Sequence, residues 1–320
     1  MKFKTRFFNS KNLPLVIEPE EKTSADDFNC EFLIALCIEN RELFHNELLG
    51  CGALLFRGFS IKSADNFERV ARALSGKNLL DYAGGVSPRV ELTKGGVYTS
   101  TEYPPRFMIP LHNELSYSNN YPSQVYFCCL VAPEEGGETP IGDSRAILKN
   151  IDARIVEEFK LKKLRYERNL QGDAGSGYSW QDAFETNDKS TVEDCCRRMD
   201  ADFEWKKNGG LRVSQIRPAT TIHPETSEEV WFNQADGFHP SIFDEETRAA
   251  TPEDEFRLNV RFADGSPLDI EKLNRIREVL RNEMVIFPWQ EGDVLVLDNI
   301  LTAHGRMPFC GARKIILAMT

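Results

Sequence analysis

Residues 292–319 read "GDVLVLDNILTAHGRMPFCGARKIILAM". Two apolar runs, 292–300 and 313–319, are short and rich in Val, Ile and Leu; Gly292 opens the first, and Gly311 lies two residues before the second. That is the composition of buried strands. His304 lies just past the end of the first strand, and Arg313 opens the second. Strand alternation puts residues 313, 315 and 317 on one face. Ile315 and Leu317 are apolar, so Arg313 is predicted to point inward and Lys314 outward. A buried guanidinium requires an anion, either an internal Asp or Glu or the carboxylate of a ligand.

Outward from this stretch, strands are expected at 53–59 ("ALLFRGF"), 123–132 ("SQVYFCCLVA") and 228–234 ("EEVWFNQ"). Helical spacing marks residues 24–50, with Ser24, Asp26 or Asp27 as cap and Gly50 and Gly52 as stop. A second helix follows Ser63 and ends at Gly76. Further helices are read in "SRAILKNIDARIVEEFKLK", "STVEDCCRRMD" and "DIEKLNRIREVLRNEMVIF". Residues 77–110 read as long loops with short strands. Helices scattered among strands, without regular βαβ alternation, indicate an α+β, mainly β chain built on an antiparallel barrel or sandwich.

The 320 residues, 41% of them hydrophobic, can bury a large core. The expectation is a single domain over 1–320, in which 164–222 has a mixed pattern. The formal net charge of −11 and the absence of basic runs exclude nucleic acid and anionic membrane as main partners. No segment has the apolar length of a membrane span or a signal peptide. Eight cysteines, two pairs of them adjacent and none in C-x-x-C spacing, suit small buried hydrophobes in a reducing cytoplasm. Oligomeric state is not legible.

The spacing H-x-E occurs three times: His45/Glu47, His112/Glu114 and His223/Glu225. With five histidines and many acids, about one chance occurrence of H-x-[DE] is expected, so geometry must choose. His45 and Glu47 sit in the first predicted helix, where i and i+2 point to nearly opposite sides. His223 reads as a surface turn. His112 and Glu114 lie in extended chain ("MIPLHNELSY"), where i and i+2 share a face. Two imidazoles and a carboxylate form the facial triad that holds non-heme Fe(II) and leaves positions open for substrate and O2. Either His304 or His239 could be the second imidazole, and the position of His304 beyond a strand end favours it. Activation of O2 calls for a co-substrate such as 2-oxoglutarate, whose far carboxylate needs a cation and a hydroxyl. Arg313 and Thr139 are the candidates.

At these residues the chain resembles the taurine dioxygenase-like (TauD/TfdA-type) Fe(II)/2-oxoglutarate-dependent oxygenases, most of all the branch of the syringomycin-biosynthesis hydroxylase. The matching stretches include "STEYPPRFMIPLHNELSY", "FCCLVAPEEGGETPIGDSR", "HPETSEEVWFNQ" and "FPWQEGDVLVLDNILTAHGRMPFCGARKIILAM". The resemblance implies a double-stranded β-helix (jelly roll) with flanking helices, and, because shorter family patterns lack part of it, an insertion or lid over about 164–222 of the single domain. It implies iron ligands at His112, Glu114 and His304, and 2-oxoglutarate contacts at Thr139 and Arg313. Related halogenating enzymes have a small residue where Glu114 stands, so hydroxylation is favoured over halogenation. Branch members hydroxylate amino acids, often at the β-carbon, free or tethered to a peptidyl carrier protein. An amino-acid-like substrate would find candidate contacts in Arg89, Arg168, Arg212, Asn233 and Gln234. A carrier protein, itself usually acidic, would need a local basic patch such as Arg197-Arg198 or Lys206-Lys207. Desaturation or ring closure would start from the same hydrogen abstraction. Outside this class stand a zinc-dependent hydrolase using the same triad and a barrel that only binds a ligand.

Overall fold

The computed structural model describes residues 3–20, 28–82, 89–101, 103–173 and 179–320. Its main sheet has eight strands, in the spatial order Phe3–Phe7, Leu15–Pro19, Ala53–Phe56, Val294–Asp298, Gln124–Val131, Lys314–Met319, Val97–Thr99, Glu91–Thr93. The two C-terminal strands flank Gln124–Val131, both antiparallel to it. The one parallel pairing in this sheet is Leu15–Pro19 against Ala53–Phe56.

The central strands Ala53–Phe56, Val294–Asp298, Gln124–Val131 and Lys314–Met319 read as nearly continuous apolar runs because both their faces are covered. Val125, Phe127, Leu295, Leu297, Ile315 and Leu317 enter the interior core. The alternate residues Tyr126, Cys128, Val294, Val296, Ile316 and Ala318 pack under helices Cys30–Glu39, Arg41–Cys51 and Ala64–Ser75. Full burial of each large side chain is worth roughly 1.5–3 kcal/mol. A smaller sheet, Ile109–His112, Thr302–Arg306 and Ile141–Asp143, completes the enclosure of the interior. The result is an α+β jelly roll of the double-stranded β-helix type, as expected.

The segment after Lys163 builds a separate four-stranded sheet in the order Asp202–Trp205, Leu211–Arg217, Leu164–Leu170, Leu258–Phe262. Its last strand comes from beyond residue 222. Leu170, Trp180, Phe184, Val192, Cys196 and Val213 give its outer half a small core of its own. Tyr166, Val260 and Phe262 join it to the main core.

Two predicted helices are each two. The first breaks at Asn40, whose Nδ2 donates to the Leu36 carbonyl. The one beginning at Ser144 breaks at Ile151, and Asp152 caps the second half. The Ser24, Asp26 and Asp27 caps lie outside the described residues; Asn29 accepts from the Phe32 amide and caps Cys30–Glu39. Ser63 caps its helix and Gly76 ends it, as read.

Candidate active site

His304 and His112 are direct partners across the antiparallel pair of the smaller sheet. Cross-strand neighbours bring their Cβ atoms to about 5 Å, and the two ring centroids are 4.5 Å apart. One ligand atom from each of His112, Glu114 and His304 lies within 4.8 Å of the other two. The strand ends at His112, however, so Glu114 is not presented by strand alternation alone. It begins a turn in which Leu115 adopts φ 55°, a left-handed conformation uncommon for a residue with a side chain.

Asn299 holds that turn. Its Oδ1 accepts from the Glu114 amide at 2.7 Å, and its Nδ2 donates to the carbonyls of Glu114 (3.0 Å) and Pro122 (2.8 Å). Asn113 returns a bond from Nδ2 to the Asn299 carbonyl at 2.7 Å, and Gln234 Nε2 donates to the Asn113 carbonyl at 2.8 Å. Next to Asn299, Asp298 accepts from the amides of Ile300 and Leu301, turning the chain toward His304. Asn299 was missed by sequence reasoning. Its sole signal is a polar "DN" closing an apolar strand.

The electrostatics suit metal ligation. His112 donates from Nδ1 to the Pro110 carbonyl at 2.9 Å, leaving Nε2 as a lone-pair donor. Burial, reinforced by His304, lowers its pKa to about 4, so it is neutral at neutral pH. Burial pushes the Glu114 carboxyl up, but Arg89 and the His304 contact at 3.6 Å outweigh this and hold it well below the usual range. Two neutral-capable imidazoles and one ionised carboxylate are a donor set for Fe(II), and three soft thiolates are not.

Arg313 and Thr139 line the same cavity as His112 and His304. Arg313 donates from Nε to the Gly137 carbonyl at 2.8 Å and from Nη1 to Ser100 Oγ at 3.3 Å. Among the described residues it has no carboxylate partner, and burial lowers its pKa to about 10. Trp289 donates to Thr139 Oγ1 at 3.2 Å, which leaves the threonine hydroxyl hydrogen to give. Gly137 has φ 69°, and a Cβ there would meet the Arg313 side chain at 3.1 Å. Pro133 at 2.7 Å and Phe309 at 3.0 Å stand closer still, and a Cβ at Gly136 would meet the Pro308 carbonyl oxygen, so the crowding around the arginine and the positive φ of both residues require the Gly-Gly turn. Ser100 and Trp289 were also missed.

The other candidates are placed differently. Arg89 donates to Glu114 at 3.0 Å and lines the cavity. Arg168 is buried, with its guanidinium 5.4 Å from the Tyr117 ring. Arg212 is ion-paired with Glu167 at 3.0 Å in the outer sheet. Asn233 is committed to the Ala219 carbonyl and the Ala235 amide, and Gln234 to Asn113. These three serve the scaffold. His239 accepts from Ser241 and caps a short helical turn, away from the triad. His223 does open a hairpin turn, between Thr220–Ile222 and Glu229–Trp231, but its side chain is buried rather than at the surface, bonded to Asp298 at 3.0 Å. The two discarded H-x-E copies meet each other: His45 pairs with Glu225 at 2.9 Å. In the candidate patch Arg197-Arg198, Arg197 is ion-paired with Glu193 and Asp194 on its own helix.

The family model described as "Taurine catabolism dioxygenase TauD, TfdA family" matches residues 10–320. The chain is 40% identical to the dapdiamide synthesis protein DdaC of Enterobacter agglomerans, over 84% of this chain and 82% of that one. It is 32% identical to a clavaminate synthase-like protein of Arabidopsis thaliana, over 98% and 95%. A taurine dioxygenase structure from Burkholderia xenovorans shares the fold at TM-score 0.57 and 14% identity, covering 99% of this chain and 88% of that one. These likenesses set aside the hydrolase and the silent barrel. The chain belongs to the TauD/TfdA family and is an Fe(II)- and 2-oxoglutarate-dependent dioxygenase.

Proposed function

We propose that His112, Glu114 and His304 hold the iron, that Arg313 and Thr139 anchor the far carboxylate of 2-oxoglutarate, and that the enzyme hydroxylates an unactivated C–H of an amino acid or amino-acid derivative. The observation that carries this is a two-histidine, one-carboxylate cluster whose histidines line one cavity with a cation that has no carboxylate partner among the described residues.

When bound, iron with 2-oxoglutarate and O2 supplies the oxidising power: 2-oxoglutarate leaves as succinate and CO2, and the substrate C–H gains one oxygen atom. The chain's own residues bind and orient. His112 is fixed in one tautomer by Pro110, Glu114 is held by Asn299, and Arg313 and Thr139 set the pose of the co-substrate. No side chain has to act as a strong acid or base. We take the chain as one domain in which 164–222, with the strand Leu258–Phe262, forms a lid. Supporting this, Tyr166 from the outer sheet and Phe238 pack on Tyr117, three residues from Glu114. Such a cover excludes water from the reacting centre.

Kinship with a dapdiamide synthesis protein supports a place in specialised metabolite biosynthesis, with hydroxylation at the β-carbon as the first reaction to seek. All eight cysteines are free thiols, which suits a reducing cytoplasm, and no helix among the described residues is long and apolar enough to cross a membrane. The test is succinate release on addition of amino acids, free or loaded on a carrier protein, with mass analysis of the product. A product heavier by one oxygen is expected. A product lighter by two hydrogens would mean desaturation or ring closure, and no stimulation by any amino acid would overturn the substrate class.

A further inference from the structure

Beside Glu114 lies a second concentration of positive charge. The Arg89 side chain is only 3% exposed. Its Nη2 reaches Glu114 Oε2 at 3.0 Å and Thr101 Oγ1 at 3.4 Å, but its Nε and Nη1 are buried and donate no hydrogen bond. The Tyr82 ring, 4.2 Å from the guanidinium carbon, covers one face. In the turn that carries Glu114, the Tyr117 hydroxyl is also buried without a partner. Tyr117 and Arg89 are tied to the same carboxylate: Arg89 donates to Glu114, and Tyr117 stands three residues after it in the same turn. Folded proteins rarely leave such donors unsatisfied.

The cavity lining carries three guanidinium groups, Arg89, Arg306 and Arg313, and Glu114, bonded to Arg89, is the carboxylate set against them. Arg306 is spent on the backbone carbonyls of Tyr103, Pro104 and Phe107. Arg313 is reserved for 2-oxoglutarate, and the charge of Glu114 is claimed by the metal. Arg89 is left with two idle donors and a charge that needs a further anion.

We propose that Arg89 and Tyr117 form an anion subsite that receives a free carboxylate of the substrate. This rests on the reading of the triad and Arg313 given above and narrows it. An aminoacyl group tethered as a thioester has lost its α-carboxylate, so the subsite selects a free amino acid or an amino-acid derivative with its carboxylate intact. Arg89 grips the substrate while touching the metal's carboxylate ligand, so binding and the placement of the C–H are coupled through one side chain.

The test uses protein loaded with Mn(II) and N-oxalylglycine, which fill the metal and co-substrate sites without turnover. Common L-amino acids are titrated calorimetrically against their primary amides. The wild type is expected to bind carboxylates at least about tenfold more tightly than amides. Arg89→Gln should remove that preference, weakening carboxylate binding about tenfold to a hundredfold, the loss expected for charge-assisted hydrogen bonds. Tyr117→Phe keeps the ring and should weaken it about three- to tenfold, with the affinity for N-oxalylglycine unchanged. If Arg89→Gln fails to fold or to load, Tyr117→Phe decides. No carboxylate binding by the wild type, no preference over amides, or a preference that survives Arg89→Gln or is untouched by Tyr117→Phe overturns the subsite. Failure of the wild type to load Mn(II) and N-oxalylglycine would instead defeat the reading of the triad.

Discussion

Arg313 shows how far one residue's role follows from its neighbours. Alternation with Ile315 and Leu317 predicts that it points inward, and both apolar partners do enter the interior core. The predicted outward direction of Lys314 matches its exposure. An ion pair to an internal acid was the competing expectation, and among the described residues none is present. Arg313→Gln is therefore expected to raise the KM for 2-oxoglutarate about tenfold to a hundredfold, since charge-assisted hydrogen bonds to the far carboxylate are lost. Steady-state succinate release at varied 2-oxoglutarate checks this, and an unchanged KM would remove Arg313 from the co-substrate site. Glu114 was identified for a reason that proved incomplete. Its proximity to His112 depends on a turn clamped by Asn299, more than 180 residues away in sequence. Pairings of that range leave no local periodicity to read.

Strands were legible because burial on both faces forces continuous apolar composition, so 123–132, 292–300 and 313–319 announced themselves. Helix breaks at Asn40 and Ile151 were not, because the apolar spacing runs through them and tertiary packing decides where the axis turns. The meeting of His112 and His304 depends on the pairing of Ile109–His112 with Thr302–Arg306, whose register shifts between His304 and Arg306. Gly305 sits at that shift, and a Cβ there would lie 2.5 Å from the Ile109 carbonyl oxygen. Gly305→Ala must push the two strands apart beneath both imidazoles. Metal affinity should fall about tenfold to a hundredfold, the range seen when supports of metal ligands are lost. Mn(II) titration followed by electron paramagnetic resonance measures it, and wild-type affinity in this variant would show that the strand pairing does not set the site.

For the whole molecule, buried histidines link stability to pH. Burial lowers His112 to about 4, with His304 adding to the effect, and lowers His239 to about 4, with Arg277 adding. Unfolded histidine titrates near about 6.5. Between these values the unfolded chain binds protons that the native state refuses, so the stabilisation present above about pH 6.5 is lost as pH falls toward about 4. His223, raised by its bond to Asp298, acts in the opposite sense: its contribution is present below about 6.5 and is lost as pH rises through its folded value. Two depressed groups against one raised group predict a lower urea midpoint for metal-free protein at about pH 5 than at about pH 7, with a smaller difference in His239→Gln. A midpoint that is flat or rises on acidification would contradict this. The central claim joins residues from three distant segments into one iron site beside an arginine-anchored keto acid. Its most direct test is anaerobic titration of the protein with Fe(II) and 2-oxoglutarate, watched in the visible region. The wild type should develop a weak metal-to-ligand charge-transfer band that saturates at one iron per chain, and His112→Ala, Glu114→Ala and His304→Ala should each fail to form it. No band in the wild type, or an undiminished band in any of the three variants, would contradict the account.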